Sequence, residues 1–103
     1  MNKIIVSGFV AIGMVFAGSA AANEQLAKSK NCLACHAVDS KKLGPAFKDV
    51  AQKYAGQNDA AAKLSEKVIK GGGGVWGQMP MPPNAQVTPE EATQLVQWVL
   101  SLK

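Results

Sequence analysis

The sequence predicts a small all-α protein of about four helices. Two observations carry that expectation: apolar residues recur at helical spacing in separated segments, and past residue 22 no β-branched, alternating run reads as a strand. A third is length. The chain has 103 residues, and Met1 to Ala22 reads as a leader rather than as part of the fold. Lys3 supplies a short positive start, Ile4 to Phe16 an apolar run, and Ala20-Ala21-Ala22 a small-residue cleavage site. The run is shorter than the roughly 20 apolar residues a bilayer helix needs, so cleavage is expected, with no stable membrane insertion afterwards. Residues 23–103 then form one domain with no linker or internal repeat.

The elements follow in order. Asn23 is a plausible N-cap, and Glu24 to about Asn31 forms a first short helix. Residues 37–46 form a loop broken by Gly44-Pro45. Phe47, Val50, Ala51 and Tyr54 then recur at helical spacing up to Gly56, and a third helix fits Asp59 to Lys70, stopped by Gly71 to Gly74. Those four glycines are no phosphate cradle, because no Lys-Ser or Lys-Thr follows and no strand precedes. The last helix is the best signalled. Thr88-Pro89-Glu90-Glu91 is a capping box with proline at the first helical position, and Ala92, Leu95, Val96, Val99 and Leu102 form its apolar stripe. Trp98, beside the stripe, reads as a core aromatic.

Between the first helix and the loop stands Cys32-Leu33-Ala34-Cys35-His36, a C-x-x-C-H run that reads as an attachment site for c-type haem. Two thiols at this spacing add across the two vinyl groups of one porphyrin, and the adjacent imidazole supplies the proximal nitrogen to iron. Competing readings fail on context. A thioredoxin-like pair belongs in a βαβ unit, structural zinc lacks a fourth ligand, and a plain disulfide leaves the histidine unexplained. The export leader agrees, since c-type haem is attached outside the bacterial inner membrane. A domain this small buries only about 60% of its extended surface, so an apolar prosthetic group would enlarge its core, and the haem-free chain is expected to unfold in part or whole.

His36 is the only histidine, so a second iron ligand must come from elsewhere. Outside the leader the only thioethers are Met79 and Met81, in Gln78-Met79-Pro80-Met81-Pro82-Pro83-Asn84, where three prolines stiffen the chain into an extended segment. Spacing alone does not choose between the two. The eleven basic residues are all lysine, against seven acids, a formal charge of +4 that drops by one with Lys3. Such a modest excess suits docking against an acidic protein partner, with Lys28, Lys30, Lys41, Lys42 and Lys48 as steering candidates around Leu33 and Ala34. It argues against nucleic acid, where arginine and interleaved aromatics are expected.

Together with Gly44-Pro45-Ala46, Gly74-Val75-Trp76-Gly77, Met81-Pro82-Pro83-Asn84 and the terminal Trp98-Val99-Leu100, the haem motif resembles the small class I monohaem cytochromes c of bacteria, of the c-551/c-552 type. The resemblance implies a cytochrome c fold wrapped around one covalently attached haem c, with Cys32 and Cys35 as the thioether anchors. It selects Met81 over Met79 as the axial partner of His36. It implies further that the Pro45 carbonyl accepts from the histidine, that Trp76 donates to a haem propionate, and that the Asn84 amide contacts the methionine sulfur. The implied function is that of a monomeric periplasmic electron carrier and not an enzyme. Its partners would be a quinol-oxidising complex on one side and a nitrite reductase, terminal oxidase or peroxidase on the other. The alternatives are a haem-based ligand sensor or peroxidase with a dissociable methionine, and thiol–disulfide exchange through free Cys32 and Cys35.

Overall fold

A computed structural model describes residues 23–103; the expected leader, residues 1–22, lies outside the described residues. Among the described residues four α-helices follow one another, and the only β-pairing is an isolated antiparallel bridge, Gly72 to Met81.

Helix α1 covers residues 23–29. It ends two residues short of the expected Asn31 because Asn31 takes the left-handed conformation, φ 68°, which asparagine tolerates better than most residues and which a helix does not continue through. The reversal opens directly into a short 3₁₀ turn, Cys32–Ala34.

Helix α2, Phe47–Lys53, has no side-chain cap; its N-cap is Ala46. The loop before it does the capping. Phe47 N–H donates to Ala37 O at 2.9 Å and Lys48 N–H to Val38 O at 3.1 Å, so two of the orphan donors of the first turn are satisfied by the chain just past His36. This couples the start of α2 to the cysteine–histidine turn. Helix α3, Ala60–Lys70, has Asp59 at its N-cap, one residue inside the expected start. The Asp59 carboxylate caps no backbone group and meets Lys63 instead, at 3.1 Å. That contact holds its carboxyl below the usual range. Gly71, at φ 77°, closes α3 by donating to Lys67 O at 2.7 Å.

Helix α4, Pro89–Ser101, carries the full capping box: Glu91 N–H donates to Thr88 Oγ1 at 3.1 Å, and Thr88 N–H to Glu91 Oε1 at 3.0 Å. It packs across both α2 and α3. Ala92, Leu95 and Val96 are buried as the stripe predicts, with Trp98 buried beside them, while Val99 and Leu102 lie half-buried at its edge. The core gathers Ala27, Phe47, Val87, Ala92, Leu95 and Trp98, with the Trp98 ring edge-on to Phe47 at 5.6 Å. Lys30 clips the end of α1 to the start of α4, donating to Gln86 O at 3.0 Å and meeting the Glu91 carboxylate at 3.2 Å.

Candidate functional site

The core is split by a cavity of about 370 Å³, and every part of the fold supplies lining. Cys32, Cys35 and His36 come from the turn after α1, Pro45 and Phe47 from the entry to α2, Leu64 and Val68 from α3, Trp76 and Met81 from the glycine–proline segment, and Leu95 and Trp98 from α4. The lining is overwhelmingly apolar, and the chemistry converges on it from two stretches of chain.

The first is the cysteine–histidine turn. His36 Nδ1 lies 2.7 Å from Pro45 O. A carbonyl can only accept, so Nδ1 carries a proton, which leaves Nε2 as the ring nitrogen for a metal. Two packing contacts fix the ring plane. The imidazole stacks on Phe47 with centroids 4.9 Å apart at 22°, and Gly44 lies over the ring, where a Cβ would fall 2.5 Å from Cε1. Only glycine leaves room there. Gly44 is itself held by its N–H donating to Cys35 O at 2.7 Å.

Cys32 and Cys35 are free thiols, each half-buried. Burial pushes the Cys32 thiol above its ordinary pKa, which lowers its thiolate fraction and weighs against thiol–disulfide exchange. Zinc fares no better, because the described residues hold no group of three His, Cys, Asp or Glu side chains that could bind a metal ion.

The second stretch carries the methionines. Met81 N–H donates to Gly72 O at 2.7 Å and Gly72 N–H to Met81 O at 3.0 Å, so the Met81 backbone is pinned in both directions. Gly71 packs against it so closely that a Cβ would fall 2.6 Å from Met81 O. Met79 also lines the cavity and is 62% exposed. Asn84 anchors the proline run to the end of α3: its N–H donates to Val68 O and Ile69 O, and its amide Nδ2 to Val68 O at 2.9 Å and to Pro82 O at 3.3 Å. Both amide hydrogens are thereby engaged, and Asn84 does not line the cavity. Trp76, 42% exposed, lines the cavity with the Lys53 ammonium 5.6 Å from its ring centroid.

The structure thus brings Cys32, Cys35, His36, Pro45, Trp76 and Met81 to one cavity and leaves Asn84 behind it. Sequence reading missed three contributions. Gly44 and Phe47 orient the imidazole, and Trp98, read chiefly as a core aromatic with haem contact the lesser reading, also lines the cavity. Helical periodicity flags Phe47 and Trp98 as buried but says nothing about which buried surface they face.

Two free thiols, an imidazole with one nitrogen committed and the other available, and a thioether across an apolar cavity fit a covalently attached haem. The cytochrome c family model matches residues 20–103. Cytochrome c-552 of Hydrogenobacter thermophilus is 56% identical, and cytochrome c-551 of Pseudomonas aeruginosa 49% identical, each matched over the full length of both chains. The crystal structure of Nitrosomonas europaea cytochrome c552 superposes with a TM-score of 0.76 at 52% identity, covering 78% of this chain and 99% of that one. The chain belongs to the cytochrome c family. Within it, the chain is a class I monohaem cytochrome of the c-551/c-552 type, an electron carrier with one covalently bound haem c.

Proposed function

We propose that this protein carries single electrons in the periplasm, with Cys32 and Cys35 as thioether anchors and His36 and Met81 as the axial iron ligands. Bound there, the haem supplies a one-electron Fe(III)/Fe(II) couple. The observation that carries the reading is the pairing of an imidazole locked by Pro45, Phe47 and Gly44 with a methionine whose backbone is pinned by Gly72. Donors that do not move between oxidation states keep the reorganisation on electron transfer small. The soft Met81 thioether and the apolar lining from Phe47, Leu95 and Trp98 both disfavour the extra positive charge of the oxidised state, raising the potential.

The pinning of the Met81 backbone by Gly72 supports Met81 as ligand. Trp76 is the candidate donor to a propionate. An Asn84 contact to the methionine sulfur would require it to give up a bond to Val68 or Pro82. With the lone histidine committed to iron and Met81 held in place, the chain has no evident acid–base group for bond chemistry, which supports a carrier over an enzyme. Residues 1–22 act in this reading as a cleaved export leader, and among the described residues no helix is long and apolar enough to cross a membrane.

The partners proposed are a quinol-oxidising complex as donor and a nitrite reductase, terminal oxidase or peroxidase as acceptor, met as a monomer. Three of the five candidate steering lysines are engaged within the chain: Lys30 with Glu91, Lys48 with Asp39 at 2.7 Å, and Lys42 with Leu33 O at 3.0 Å. Lys28 and Lys41 therefore carry the steering idea best, and a rate of electron transfer to a purified partner that is flat with salt would remove it.

Optical spectra of periplasmically matured protein test the ligation. Sharp low-spin bands, a weak near-infrared sulfur-to-iron band when oxidised and indifference of the reduced protein to carbon monoxide are expected. Ready carbon monoxide binding would overturn the carrier reading in favour of a ligand sensor or peroxidase.

A further inference from the structure

Trp76 sits in a segment that little else restrains. Between the Gly72–Met81 bridge and its tip, the chain runs through Gly72, Gly74 and Gly77 at φ of 150°, 93° and 114°. The tip is tied by one bond, Gly74 N–H to Gly77 O at 3.2 Å. Val75, Trp76 and Met79 line the cavity and are all more than two-fifths exposed, so the rest of the chain does little to bury them. Glycine-rich backbone with few packed side chains opens at low cost.

Lys53 reaches it from outside. It is the last residue of α2, the helix whose first residue stacks on His36, and its ammonium lies 5.6 Å from the Trp76 ring centroid, within the range of a cation–π contact. The four ion pairs of the described residues do not include Lys53. The contact joins the end of α2 to the segment that leads to Met81.

We propose that Lys53 is a positioning residue that holds the 73–80 segment closed by clasping the indole of Trp76, and so fixes the ring where it lines the haem cavity. The purpose of the held ring rests on the haem reading; the clasp itself does not.

The test is residue-resolved amide hydrogen exchange on the haem-loaded protein. A haem absorption band checks separately that the cofactor is attached, so failure of the haem reading and failure of the clasp are told apart. Exposed cation–π contacts are weak, so K53Q should speed exchange at Gly74 by about two- to fivefold while leaving the base amides Gly72 and Met81 and the α4 amide of Leu95 unchanged. K53R, which keeps a stacking cation, should restore the original rate. In a W76L background, K53Q should add nothing further, because its partner is gone. An unchanged Gly74 rate in K53Q would overturn the clasp. An equal increment with and without Trp76 would overturn it too, since that pattern belongs to a long-range charge effect.

Discussion

Substituting alanine at Gly44 tests the histidine support most directly. The added methyl would fall 2.5 Å from His36 Cε1, 2.9 Å from Nδ1 and 3.0 Å from Nε2, so the ring must retreat by about 1 Å to reach ordinary contact. It cannot retreat freely. The far side is stacked on Phe47, and the Nδ1 hydrogen points at Pro45 O at 2.7 Å. Overpacking of this kind costs about 1–3 kcal/mol, and weakening the Nδ1 hydrogen bond adds about 1 kcal/mol. G44A should therefore lose about 2–4 kcal/mol of stability, read from guanidinium unfolding of the haem-loaded protein, and the His36 Nδ1–H resonance should shift. G56A is the control. Its site has positive φ, 81°, but nothing within 4 Å of the added methyl, so it costs backbone strain of about 1–2 kcal/mol and leaves the histidine resonance alone. A G44A protein with unaltered stability and an unmoved histidine signal would refute the account of how the imidazole is fixed.

Three further outcomes are expected. T88A removes the α4 cap and should destabilise by about 1 kcal/mol, seen as a lower denaturant midpoint with an unchanged slope. The Glu91 carboxyl is held below its ordinary pKa, chiefly by the N–H of Thr88 and then by Lys30. Its contribution to stability is therefore complete above the ordinary carboxylate range and lost as pH falls through the lowered value, so E91Q should flatten the acid limb of a stability–pH curve; an identical limb would rule that out. Chain stripped of haem should lose most of its far-UV helical signal, because the apolar lining of the cavity would face water; a native-like spectrum would contradict this.

What the sequence determined by itself is local. The capping box of α4, the glycine stop of α3 and the four helical stretches depend on residues within a turn or two of one another, and their limits fall within about three residues of the expected ones. The early end of α2, at Lys53 instead of Gly56, is the largest miss; the early end of α1 came from the left-handed Asn31, whose conformation follows from the turn that presents the cysteines. The haem motif was equally legible, since its three chemical groups lie in five consecutive residues.

Tertiary structure decided everything that required distant segments to meet. Residue spacing could not say that Gly72 pins Met81 and leaves Met79 exposed, that Asn84 turns its amide to the end of α3, or that Lys53 reaches Trp76. Nor could it distinguish lysines that point to water from Lys30, Lys42 and Lys48, which bond within the chain. Helical periodicity reports which face of an element is buried, whereas the partner that buries it depends on how loops close, and loop closure has no signature within a single turn of sequence.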